Sequence, residues 1–186
     1  TRVVIVDFSV YVERKENDRF KSLFLFSFKN IVFFIVPVVM IFLFIPDAII
    51  SVVFQRGAFD VHSQIMTSSV LFYYAFGLFF FCIIKLFVSA FYAFEDTRTP
   101  ARIATISLLL NACFSALFMF PLGIGGVALG SSIAALCNSV MLYRALRQRI
   151  GPFDAKDIIR FCGKIIFLSL CVGVVCRWLW YGFEWN

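Results

Sequence analysis

Only 15% of the 186 residues are charged, 62% are hydrophobic and the formal net charge is +6. A water-soluble domain carries roughly 45–50% apolar and about 25% charged residues. A chain this short leaves too much surface in water to hide such an excess, so lipid must solvate much of it and a soluble enzyme or binding module is excluded.

The first residue is Thr1, charge follows at once in Arg2 and Asp7, and no signal-peptide pattern opens the chain. The expectation is a piece of a longer protein. Residues 1–12 (TRVVIVDFSVYV) read as the end of a preceding helix, and residues 13–21 (ERKENDRFK) as a solvated cytoplasmic link. Five apolar stretches then follow, each reaching the ~20 residues that a membrane-crossing helix needs. The first runs from about Ser22 to Ile45 and stops at Pro46-Asp47. A short segment, 48–54 (AIISVVF), is too short to cross and either lies at the interface or extends the first helix past a proline kink.

The second stretch runs from about Ser63 to Phe94. The third starts at Pro100, with Thr99 placed to cap it and proline at the first helical position, and ends near Phe120. The fourth covers about Gly126 to Leu146 and the fifth about Ile158 to Tyr181. The predicted architecture is therefore an all-α polytopic transmembrane bundle of about five spanning helices. Four of them fall in residues 22–150, and a further, peripheral one in 151–186.

Lysine and arginine set the orientation, because cytoplasmic loops carry their excess. Arg14, Lys15, Arg19, Lys21 and Lys29 precede or open the first span. Arg98 and Arg102 sit between the second and third, and Arg144, Arg147, Arg149, Lys156, Arg160 and Lys164 between the fourth and fifth. The alternate connections hold Arg56 in one case and no basic residue in the other, so the N-terminal segment is placed inside and the C-terminus outside. Arg177 is the exception, and Trp178, Trp180 and Tyr181 form an expected interfacial belt at the outer face. Basic residues divided among loops in this way do not make a nucleic-acid surface. The six cysteines lie in apolar runs without a CxxC pair and His62 stands alone, so neither a metal nor another cofactor is expected.

Lys85 is the residue most suggestive of chemistry. It lies ten positions before Glu95, about 15 Å from the helix end, where a cation is costly unless it faces protein or water. At ~100° per residue Thr67, Tyr74, Lys85, Ser89 and Tyr92 fall in one sector. Such a stripe suits a water-filled cavity in which Lys85 attracts an anion; the bland alternative is a lysine snorkelling to the headgroups. Gly126, Gly130, Ala134 and Asn138 recur every four positions, a spacing that lets helix backbones approach closely. Asn111 and Ser115, one turn apart, are placed to hydrogen-bond to Ser131 or Asn138, either as structural glue or as a polar cation site. Residues 95–100 (EDTRTP) form a charged turn that ends one helix and caps the next, with a gating role for Asp96 and Arg98 as the sharper option.

The elements Phe54-Gln55-Arg56-Gly57-Ala58-Phe59, Tyr74, Gly77-Leu78, Lys85, Phe91-Tyr92-Ala93 and Asp96-Thr97-Arg98-Thr99-Pro100, with the stretch 121–138 (PLGIGGVALGSSIAALCN), together resemble the MurJ/MviN family. These are bacterial lipid II flippases of the multidrug/oligosaccharidyl-lipid/polysaccharide (MOP) exporter superfamily. The resemblance implies a fourteen-helix protein of the cytoplasmic membrane, with two lobes around a cationic cavity and this chain covering the ninth to thirteenth helices. It places the RGAF turn outside and the DTRTP turn inside, in agreement with the charge count. It implies transport of undecaprenyl-diphosphate-linked disaccharide-pentapeptide by alternating access, without catalysis, with the lipid tail in a groove that the fifth helix helps to line. The partners implied are that anionic lipid-linked oligosaccharide, membrane lipid and the remainder of the longer chain.

Lys85 resembles a lysine on the family's tenth helix. The family's principal cavity arginines belong to earlier helices. Some members bind a cation at positions matching Asn111, Ser115, Ser131 and the carbonyl of Val127, but an acidic residue is expected where Ser115 stands. The competing readings are another MOP exporter (a polysaccharide-unit flippase or drug exporter), a membrane enzyme of lipid-linked sugars, and a non-transporting membrane protein.

Overall fold

The computed structural model describes residues 2–14, 16–54, 61–153 and 155–183. Seven helices occupy these residues: α1 (Arg2–Glu13), α2 (Asn17–Phe44), α3 (Pro46–Phe54), α4 (Val61–Ala93), α5 (Arg98–Leu122), α6 (Ile124–Ile150) and α7 (Ala155–Phe183). Five of them, α2 and α4 to α7, are long and apolar enough to cross a membrane. The all-helical, multi-span architecture expected from the sequence is the one observed. Each spanning helix extends a few residues beyond its apolar stretch, since α-helical hydrogen bonding does not stop where lipid does. The segment 48–54 belongs to a separate short helix. Ile45 breaks the path (φ −134°, ψ 48°), and Pro46 starts α3, which buries Ala48 and Ile50 and packs against α4.

Helix α4 is the hub. It packs on α6 along most of its length and also touches α2, α3 and α1, while α5 leans on α6 and α7 on α2. At the end of the bundle that gathers the basic connections, Phe8, Phe20, Phe24, Phe87, Phe91, Leu142 and Leu146 form the tightest core. Phe8 and Phe20 pack as a tilted pair with ring centroids 4.8 Å apart. With lipid outside as apolar as the core, close packing rather than expulsion of water holds such a cluster together.

The turn between α4 and α5 differs from expectation in one respect. Helix α5 begins at Arg98, so Thr99 and Pro100 lie inside its first turn, and Thr99 is not the cap. Asp96 takes that role: its carboxylate accepts the Thr99 backbone N–H at 3.0 Å and the Thr99 hydroxyl at 2.8 Å. Pro100 is tolerated there because the first four N–H groups of a helix lack intrahelical partners in any case. On the other side Glu95, at φ 57°, closes α4. The Asp96 N–H donates to the Phe91 carbonyl and the Glu95 N–H to that of Tyr92, a Schellman ending in which glutamate fills a glycine-favouring position.

Candidate functional site

The polar side chains of α4 do not all share one surface. Tyr74, Lys85 and Tyr92 are exposed and Thr67 is half-buried, whereas Ser89 is buried. The hydroxyls of Thr67 and Ser89 donate to carbonyls of their own helix, those of Ser63 and Lys85. Tyr74 stacks on Phe81 with centroids 5.4 Å apart. Lys85 and Ser89 line an open groove of about 550 Å³ between α4 and α2, and Thr67, Tyr74 and Tyr92 lie outside it.

Sequence reasoning missed the groove's other wall. Ser27 and Asn30, three residues apart on α2, line it opposite Lys85, among apolar α2 residues that include Phe26 and Phe34, while Cys82 stands on the α4 wall with Lys85. Two polar residues on one face of an apolar span were a readable signal, but nothing local to α2 indicated that α4 would present a lysine opposite. The groove thus joins a cation and amide and hydroxyl groups to hydrocarbon walls. No described carboxylate lines it or lies within ion-pair distance of Lys85.

A second cluster forms between α5 and α6. The Oδ1 of Asn111 accepts hydrogen bonds from the hydroxyls of Ser115 (3.0 Å) and Ser131 (3.1 Å), and Ser115 also lies 3.4 Å from the Val127 carbonyl oxygen. The four residues singled out from the sequence therefore meet, while the side-chain Oδ1 of Asn138 is buried without a hydrogen-bond partner. As arranged the cluster is neutral, its amide oxygen already takes two protons, and a hydroxyl stands where a carboxylate is expected. The cluster rests on the small-residue spacing: a Cβ on Gly130 would come within 2.6 Å of the Ser115 nitrogen, and one on Gly126 would collide with the Phe118 carbonyl.

At the basic end, Arg149 closes the α4–α5 turn onto α6. Its guanidinium lies 3.0 Å from the Asp96 carboxylate and over the Phe94 ring. The Thr99 backbone and side-chain hydrogen bonds, then the Arg149 charge, hold the Asp96 carboxyl below the usual carboxylate range. Arg98 is exposed. Of the RGAF element, Phe54 ends α3, while Arg56, Gly57 and Phe59 lie outside the described residues.

A family model described as "Lipid II flippase MurJ" matches residues 1–185. The chain belongs to the MurJ family. A probable lipid II flippase MurJ of Treponema pallidum (strain Nichols) is 30% identical over 179 residues, 95% of this chain and 34% of that protein. A lipid II flippase MurJ of Burkholderia cenocepacia is 27% identical, over 81% of this chain and 29% of its own length. A solved structure titled lipid II flippase MurJ in an inward closed conformation superposes with a TM-score of 0.79 and 28% identity, covering 94% of this chain and 35% of the other. The chain thus spans about a third of the length of the MurJ proteins it matches, and its fold is that of the corresponding part of a MOP-type transporter.

Proposed function

We propose that this chain is most of the second lobe of a flippase of the bacterial cytoplasmic membrane. The flippase carries undecaprenyl-diphosphate-linked disaccharide-pentapeptide from the inner to the outer leaflet. Residues 22–150 supply four helices of that lobe and 151–186 a peripheral one, with residues 1–21 leading in from a preceding helix. The observation that carries the reading, beside the family membership, is Lys85: an intramembrane cation in an open groove with no described carboxylate beside it. A diphosphate is a strong anion, and an ammonium at this depth attracts it most where water is scarce. Ser27, Asn30 and Ser89 offer further polar contacts, and the lipid tail stays in the bilayer, in a groove that α7 helps to line. Tyr74, Tyr92 and Thr67, on the same sector of α4 but outside the groove, face the space between the lobes. The chemistry is positional: alternating access moves the substrate and breaks no bond.

The test uses the full-length protein. Lys85→Glu should lower outer-leaflet lipid-linked precursor about tenfold in cells depleted of the native protein, while Lys85→Arg retains most of it. With the native cysteines replaced, Lys85→Cys should react with a membrane-impermeant thiol reagent. Normal precursor levels with Lys85→Glu, or a cysteine protected in both inward- and outward-open states, would overturn the reading.

A further inference from the structure

The groove between α2 and α4 holds a polar arrangement that the charge of Lys85 does not account for. Aromatic contacts fix the register of its two walls. Phe20 meets Phe94 with ring centroids 5.0 Å apart, and Phe24 meets Phe87 at 5.5 Å. The helices therefore run antiparallel, and Lys85 lies level with Phe26 and Ser27. Asn30 stands about one helical turn further into the membrane, roughly 5 Å beyond the lysine. It is exposed to the groove, and among the described residues none donates to or accepts from its amide. A carboxamide on a spanning helix is costly unless it bonds a neighbouring helix or meets a polar group in a cavity.

The two side chains ask for different partners. A lysine ammonium only donates, so Lys85 alone would hold any diphosphate and could not tell one attached sugar from another. The asparagine amide both donates and accepts. Its best match is a second amide, with which it makes two reciprocal hydrogen bonds. Ser89 adds little to this choice, because its hydroxyl donates to the Lys85 carbonyl of its own helix at 2.8 Å. Ser27, level with the lysine, is placed for a phosphate oxygen. The groove thus offers a cation first and an amide one turn beyond it.

We propose that Asn30 determines specificity by reading the acetamido group of the first sugar of the lipid-linked substrate. That group sits on the carbon next to the phosphorylated one, so it follows the diphosphate as closely as Asn30 follows Lys85. The inference rests on the reading of Lys85 given above and divides the work between the two residues: the lysine sets affinity for the diphosphate, the asparagine selects the sugar. A sugar with a hydroxyl in place of the acetamido group keeps the charge contact but leaves the Asn30 amide incompletely paired, which is the kind of mismatch that discriminates best.

The test is native mass spectrometry of the full-length protein with two lipids that differ only at that carbon, undecaprenyl-diphosphate-linked N-acetylglucosamine and undecaprenyl-diphosphate-linked glucose. The wild type should retain the acetamido lipid about tenfold better, the scale of one or two hydrogen bonds. Asn30→Leu should lower retention of that lipid about tenfold and leave the glucose lipid unchanged, with an unaltered melting temperature showing that the fold survives. Asn30→Gln, which keeps the amide, should keep part of the preference. Lys85→Gln should lower both lipids in the same proportion. Equal retention of the two lipids by the wild type would overturn the proposal. So would an Asn30→Leu variant that weakens both alike, as expected of a residue bonded to another helix of the full chain. In either case a Lys85→Gln variant that still weakens both lipids leaves the reading of Lys85 standing. No effect of Lys85→Gln on either lipid would remove that reading and this inference with it.

Discussion

The two pairings at the periphery of the bundle, α5 on α6 and α7 on α2, are built in opposite ways. In the first, glycine lets backbone meet backbone: Gly126 lies against the Phe118 carbonyl and Gly130 against Ser115, and Asn111, Ser115 and Ser131 hydrogen-bond beside them. In the second, side chains do the joining, around a small buried cluster of Val32, Val36 and Ile165. Lys29 pairs with Asp157 at 2.6 Å and lies over the Phe161 ring, Gly173 receives the Phe44 ring, and Arg177 donates to the Phe44 carbonyl at 3.0 Å. Contact between backbones leaves no adjustable atoms, so the α5–α6 pair is fixed as one unit. Contact through side chains can re-form after a small shift, so α7 is expected to adjust along α2 more readily than α5 along α6.

The sharpest way to break this contrast is to add side chains to the glycines. Gly126→Val must push apart two backbones that cannot yield. The expected cost is at least about 3 kcal/mol, the upper part of the overpacking range, seen as failure to accumulate or a collapse in melting temperature of the full-length protein in detergent. On α7, Gly163 has open space around its Cβ position, and Gly163→Ala should be neutral or stabilising by up to about 1 kcal/mol through helix propensity. Similar effects at the two sites would remove the distinction between the pairs.

A smaller effect tests how the basic end of the tight pair is closed. Asp96 caps α5 through Thr99 and reaches α6 through Arg149, so Asp96→Ala should cost about 1–2 kcal/mol, the scale of a lost cap together with a partly buried charged hydrogen bond. The pH dependence has a definite sign. The folded-state pKa of Asp96 is depressed, so its stabilisation is complete above the unfolded value of about 4 and is lost as pH falls through the folded value. Thermal melts between neutral pH and pH 3 should converge for wild type and Asp96→Ala; a constant difference would show that the carboxylate charge is not what matters.

The spans were legible because composition and apolar run length alone decide them, and the glycine spacing of α6 announced a close neighbour without naming it. The cluster of Asn111, Ser115 and Ser131 was approachable for the same reason, since α5 and α6 are joined by a single short turn that leaves them antiparallel. What stayed hidden depended on contacts distant in sequence. Ser27 and Asn30 became part of a site only when α4 laid Lys85 opposite them, and Lys29, counted as an orientation signal, spends its charge on a residue 128 positions away. The misplaced cap shows a different limit. Asp96 and Thr99 are both good caps three residues apart, and Asp96, which caps through Thr99, also meets Arg149, a partner that no reading of that turn alone could supply.

The loose pair gives the smallest expected effect, and the one most specific to the contrast. Lys29 and Asp157 keep 29% and 59% of their side-chain surface exposed, so screening by solvent keeps the contribution of their ion pair small. Lys29→Gln should therefore scarcely move the melting temperature. It should instead loosen the start of α7, which is read as faster amide hydrogen exchange over residues 157–165 with α5 and α6 unchanged. Raising the ionic strength should reproduce part of that loosening in the wild type, because a partly exposed pair is screened by salt. Exchange that accelerates equally in α5 and α6 would mean that α7 is coupled to the whole bundle and not pinned to α2 alone.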